Sequence, residues 1–240
     1  QEIMNNTKII LIKELQSYFN SPMAYIFLVV FALTNGYFFT NTFFLYNQSD
    51  MRALFNIIPL IYLFFIPAIT MSLIAREKNS GTMEVISTMP IKDIEFILGK
   101  FFAALSLIGL GLAITFVHLF TLINVGTSID YGSILTGYLG ILLLGAVYAS
   151  IGTFASSVTD NQVISFIISV FIILVFFLMD KVIFFMPSYI QGLIQYISVD
   201  FHLSNMSRGV IDTRNLIYFI SLITFFLFMT TRILEMRKWK

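Results

Sequence analysis

The run Ala53-Leu54-Phe55-Asn56-Ile57-Ile58-Pro59-Leu60-Ile61-Tyr62-Leu63-Phe64-Phe65-Ile66-Pro67-Ala68-Ile69-Thr70-Met71-Ser72-Leu73-Ile74-Ala75 carries no charge, and Arg76-Glu77-Lys78 follow it at once. A helix rises about 1.5 Å per residue, so about 20 apolar residues cross a hydrocarbon layer of roughly 30 Å. A helix apolar on every side suits lipid better than the surface of a small soluble domain. The stretch therefore reads as a membrane span that stops where its charges begin.

Five more stretches of this kind lie around it. With the quoted run at 55–75, spans are expected near 23–46, 101–124, 134–156, 163–180 and 215–233. Composition agrees: 58% of residues are hydrophobic and 11% charged, with 27 Phe and 11 Met. Mean hydropathy is +0.89, and soluble domains carry about 25% charged residues. The expected fold class is all-α and integral to the membrane, one domain over 1–240. Residues 3–20 read as an interfacial amphipathic helix, ended by Asn20-Ser21-Pro22. Met4, Leu11, Ile12, Leu15, Tyr18 and Phe19 fall on one side, and Asn6, Lys13 and Ser17 opposite. Lys8 lies within the apolar stripe, where its stem can snorkel. No charged segment, short apolar stretch and small-residue cleavage site follow Gln1, so no signal peptide is expected, and Met4 is an alternative start.

Six spans put both termini on one side. That side collects Lys8, Lys13, Arg76, Lys78, Lys92, Lys100, Arg232, Arg237, Lys238 and Lys240, against Arg52, Lys181, Arg208 and Arg214 on the other. The positive-inside rule then expects the termini and the loop 76–100 in the cytoplasm. Trp239, Tyr25, Tyr46, Tyr131 and Tyr138 suit the interfacial belt.

Catalytic chemistry finds few candidates. There is no cysteine, hence no thiolate metal or redox site. The histidines are His118, in the third span, and His202, in an outer loop. An intramembrane His is a functional candidate by default, but without an Asp, Glu or Cys beside it His118 is expected to pack between helices. Gly99-Lys100 is followed by Phe101 and lacks the earlier glycine of a P-loop, and neither His-Glu-x-x-His nor Gly-x-Ser-x-Gly occurs. The chain is expected to be no enzyme, to bind no cofactor or metal, and to have no nucleic-acid partner.

The informative loop is Arg76-Glu77-Lys78-Asn79-Ser80-Gly81-Thr82-Met83-Glu84-Val85-Ile86-Ser87-Thr88-Met89-Pro90-Ile91. Thr82 suits the cap of a short helix, with Glu84 in its next turn and Pro90 as its stop. The plain reading is a solvated basic loop. Its order also resembles the Glu-Lys/Arg-x-x-Gly-Thr-x-Glu pattern, followed by a short apolar helix and Pro, between the second and third helices of ABC-2-type transporter permeases. The resemblance implies a six-helix exporter membrane domain (type V-like). It makes this loop the coupling segment that docks on a separate ATPase through Glu77, Lys78, Gly81, Thr82, Glu84, Ser87 and Pro90.

Two further segments resemble the gliding-motility-associated permease and its nitrous-oxide-reductase-maturation relatives. In Ala155-Ser156-Ser157-Val158-Thr159-Asp160-Asn161-Gln162 the resemblance makes Ser156, Ser157, Asp160 and Asn161 a second cytoplasmic turn; as a plain turn, Asp160 and Asn161 cap the fifth span. Ser207-Arg208-Gly209-Val210-Ile211-Asp212-Thr213-Arg214-Asn215-Leu216-Ile217-Tyr218 resembles the lead-in to that group's sixth helix, with Asn215 as a capping side chain where Asp is usual. By resemblance, the chain is the transmembrane subunit of a bacterial inner-membrane complex. Its partners would be two copies of a cytoplasmic ABC ATPase, which hold ATP and Mg, and a second permease copy or related subunit, a dimer overall. The role would be transport or force transmission, gliding or envelope related. The alternatives are a secondary transporter, which calls for ionisable residues in the spans where only His118 occurs, and a structural anchor of an envelope assembly.

The apolar stretch 182–199, broken by Pro187, Gly192 and Gln195, reads as re-entrant or interfacial, sunk into the outer leaflet or laid against the fifth span. With Asp200, Arg208 and Asp212 behind it, region 182–212 is expected to be an outer gate, a surface for a periplasmic partner, or a passive lid. Asp212 is expected to help cap the sixth span. Gly145, Ala149, Gly152 and Ser156 form one small-residue face, for packing within the chain or between subunits. Pro59 and Pro67 are expected to bend the second span. Spans without buried charge favour an amphiphilic substrate among the membrane lipids and lipid-linked molecules.

Overall fold

The computed structural model describes residues 2–45, 50–126, 129–210 and 212–237. Tyr46, Ile211, Lys238, Trp239 and Lys240 lie outside the described residues, as does the side chain of Met4. Among the described residues there are helices and no strand. Helix α1 (Glu2–Phe19) precedes α2 (Pro22–Thr40), which runs on through a π-helical turn, Asn41–Leu45. Then come α3 (Arg52–Thr70), the short α4 (Ala75–Asn79) and α5 (Thr82–Thr88), α6 (Asp93–Ile114), α7 (Phe116–Val125) and α8 (Tyr131–Val158). After them lie α9 (Gln162–Val182), α10 (Ser188–Ile197), α11 (Val199–Ser207) and α12 (Thr213–Arg237). Six helical stretches are long and apolar enough to cross a membrane, and they coincide with the six expected spans.

Helix α8 is the hub: 72% of its apolar window is buried, against 17% in α9 and 22% in the last span. Small residues make this possible. A Cβ placed on Gly152 would lie 1.9 Å from the Thr70 hydroxyl, so only glycine lets α8 approach α3 this closely. The small-residue face is therefore used inside the chain. The outer helices expose long apolar side chains, as lipid-facing helices do.

Helix α1 packs along α6, partly through the expected stripe: Tyr18 is buried and Leu15 and Phe19 pack against the core. Ile10 and Tyr18 are buried while Ile12 is 43% exposed. Ile10 and Tyr18 are in line with the half-buried Glu14, one residue per turn. This row brings a carboxylate to a buried lysine on α6, where an unpaired ammonium is costly.

At the opposite end no described residue of α10 is buried; α10 lies against α9, and Ser198 and Val199 after it are buried. Leu203 and Met206 of α11 pack on α8 at Gly140, and the Thr136 hydroxyl donates to the Met206 carbonyl at 2.5 Å. Asp212 caps α12, its Oδ1 accepting from the Arg214 N–H at 2.8 Å. Asn215 does not cap. It is buried, and its Oδ1 lies 2.7 Å from Nδ1 of His202, whose ring stacks on Tyr218.

Candidate functional site

Helix α3 does not continue smoothly into α4. Its last turn unwinds over Met71–Ile74, one turn past Pro67 rather than at either proline. The unwound turn needs partners for its backbone groups, and Ser156 of α8 supplies them. Its buried hydroxyl oxygen accepts from the N–H groups of Ile74 and Ala75, both at 2.9 Å. The same hydroxyl donates to the Met71 carbonyl at 2.9 Å, which uses its whole bonding capacity. Beside it, the Lys78 ammonium donates to the Ser157 carbonyl.

A charge cluster completes the anchorage. Lys100 of α6 is 1% exposed, with Nζ 2.7 Å from Glu14 of α1 and 2.9 Å from Glu77 of α4. Lys13 lies 3.7 Å from the same Glu77 oxygen, and the Phe96 ring sits 4.8 Å from the Lys100 ammonium. One cation thus ties three helices together. The Tyr18 hydroxyl adds a donation to the Ile69 carbonyl at 3.0 Å. Burial, and then the Glu14 charge, holds this phenol well above its ordinary pKa, so it remains a donor. Glu95 accepts from the Asn6 amide at 2.9 Å and from the Lys92 N–H at 3.2 Å, fastening α1 to the start of α6.

The hairpin turns at Gly81, whose φ of +70° is a left-handed conformation that side chains resist. Gly81, not Thr82, occupies the cap position of α5, and Thr82 is its first helical residue. The Thr82 hydroxyl instead donates back to the Glu77 carbonyl at 3.3 Å. Met83 faces inward and is buried, whereas Glu84, Val85, Ser87, Met89 and Pro90 are exposed. The backbone before Pro90 is extended, which ends the helix at Thr88.

The seven loop residues singled out from the sequence thus divide. Glu77 and Lys78 are engaged with α1, α6 and α8, while Gly81, Thr82, Glu84, Ser87 and Pro90 face outward. Of the second turn, Ser156 and Ser157 are buried within α8. Asn161 caps α9, accepting from Val163 at 2.9 Å and Ile164 at 3.4 Å; Asp160 is exposed and takes no part in that cap. Sequence reasoning missed Glu14 and Lys100. The four-residue spacing of Ile10, Glu14 and Tyr18 was the available signal.

The outer residues are engaged separately within the chain. Asp200 pairs with Lys181 at 2.8 Å, Asp212 serves as the cap, and Arg208 is exposed; no hydrogen bond or ion pair joins these three among the described residues. His118 stacks on Phe39 with ring centres 4.7 Å apart, a packing role. No group of three metal-ligating side chains occurs among the described residues. At the basic end the α4–α5 hairpin is thus tied by charge and hydrogen bonds to three helices, α1, α6 and α8, and keeps an exposed face on α5.

No curated protein matches the chain. The model of the ABC-2 family transporter protein family matches residues 8–238, spanning the α4–α5 hairpin and all six apolar helices, and the chain belongs to that family.

Proposed function

We propose that this family member serves as the membrane subunit of an ATP-driven transporter, with the α4–α5 hairpin as the docking element for a cytoplasmic ATPase. The observation that carries the reading is the two-sidedness of the hairpin. Its inner side is fixed through Glu77, Lys78 and Met83, and its outer side leaves Glu84, Val85 and Met89 exposed. A rigidly mounted helix can pass a push to the spans, whereas a floppy loop would absorb it. The orientation that goes with this places the basic end in the cytoplasm, in line with the excess of Lys and Arg there. Two ATPase copies and a second permease subunit complete the complex, and the likeness to gliding-motility permeases points to an envelope role.

The test is co-purification of the full chain from native membranes, with ATP hydrolysis measured in the eluate. Glu84→Lys is expected to remove most of that activity while leaving the chain monodisperse and its unfolding temperature unchanged. Unchanged hydrolysis would rule the hairpin out as the docking element. Glu84→Lys is a cleaner probe than any change at Gly81, where a side chain adds about 1–2 kcal/mol of backbone strain.

A further inference from the structure

We propose that the cleft between α1 and the α4–α5 hairpin binds an anionic, phospholipid-like amphiphile from the leaflet at the basic end. The cleft has a volume of about 1100 Å³, just above the range of small-molecule pockets (roughly 300–1,000 Å³) and far larger than an inorganic ion needs. Its wall changes character along its length. Ile26, Phe27, Phe65 and Ala68 line one part, and Lys13 and Arg76 another. Ile26 is 58% exposed, so the apolar part opens on the lipid-facing side of α2, near the point where the span begins at Pro22. Acyl chains fit there without leaving the hydrocarbon.

Charge selects the head group. Lys100 is shared between Glu14 and Glu77, and Lys13 approaches Glu77, which together balance. Arg76 also lines the cleft and makes no ion pair among the described residues. One positive charge is left over, which complements the single negative charge of a phosphodiester. The Ser17 and Ser72 hydroxyls line the cleft and have no partner among the described residues, leaving donors for phosphate oxygens. Val85 and Ile86 of α5 border the same space, so an occupant touches the hairpin itself. Binding there requires only the cleft and a membrane, not an ATPase.

The chain has no cysteine, so Ser80→Cys carries an environment-sensitive fluorophore at the rim of the detergent-purified full chain. Titration with phosphatidylglycerol is expected to give a saturable shift, and phosphatidylcholine a much weaker one. Arg76→Gln and Lys13→Gln, both exposed positions, are each expected to weaken phosphatidylglycerol about five-fold. Ala68→Trp fills the apolar part and is expected to abolish the response. Equal responses to the two lipids, or an unchanged titration in both charge variants, would overturn the proposal. So would saturation by inorganic phosphate alone, which would reduce the cleft to an anion site. If Ala68→Trp proved misfolded, the charge variants would still decide.

Discussion

At the basic end, the α4–α5 hairpin hangs from a buried ammonium shared by two carboxylates and from a serine that satisfies three backbone groups. At the far end, α11 is attached by apolar packing on α8, a histidine–asparagine contact and one exposed ion pair, while α10 lies against α9. Both ends carry short helices between spans, but only the first invests buried charge in position. Buried ion pairs contribute little net stability compared with well-packed apolar groups, yet breaking one is costly. Such an arrangement fixes where the hairpin sits rather than how tightly the bundle folds. The far end leaves the apolar α10 uncovered by the rest of the described chain.

The sharpest way to break this contrast is Lys100→Met. It leaves Glu14 and Glu77 facing each other with only the exposed Lys13 nearby, and it should cost about 3–5 kcal/mol. The loss should appear as faster hydrogen exchange across residues 75–90 and α1, with α10 and α11 unaffected. Adding Glu14→Gln and Glu77→Gln to the same chain should recover most of the loss, because the desolvated charges go together. A Lys100→Met chain with wild-type exchange in the hairpin would mean that the cluster positions nothing.

Ser156→Ala tests the second anchor. Two buried N–H groups and the Met71 carbonyl lose their partner, at about 1–3 kcal/mol. The amides of Ile74 and Ala75 should lose protection first. Lys100 and its carboxylates should stay paired, so the two substitutions together should add nearly independently unless α4 moves as a unit. Protection retained at Ile74 and Ala75 in the alanine variant would show that the unwound turn needs no help from α8.

Much of this architecture was legible beforehand, and the reasons are specific. Hydrophobic length alone locates the spans, because in lipid a helix must be apolar on every side; α8, the most buried, could not be told from the others for the same reason. The helix within the loop was readable from Glu84 and Pro90, but its cap was misassigned. Thr82 has the usual capping side chain, whereas Gly81 wins through a left-handed backbone that only the folded hairpin demands. Lys100 escaped notice because burial of a lysine depends on carboxylates distant in sequence, at Glu14 and Glu77. Asn215 looked like a cap for the same reason: its partner, His202, belongs to another helix.

The smallest effect is expected at the far end, from Asp200→Asn. Lys181 is 55% exposed and Asp200 28% exposed at the side chain, so water already screens their attraction. Lys181 also keeps Asp180 within 3.4 Å, which offers it a second carboxylate when Asp200 is neutralised. Exposed pairs of this kind contribute about 0.2–1 kcal/mol. Helix α11 would remain fastened by Leu203 and Met206 on α8 and by the Thr136 donation to the Met206 carbonyl. The unfolding temperature in detergent should therefore fall only slightly, and high salt should erase the difference by screening the pair. A salt-independent loss of about 3 kcal/mol, the size assigned to a broken buried pair, would mean that Asp200 fixes the outer helices as Lys100 fixes the hairpin. The two ends would then be built alike, each with a charge pair that fixes the short helices between its spans.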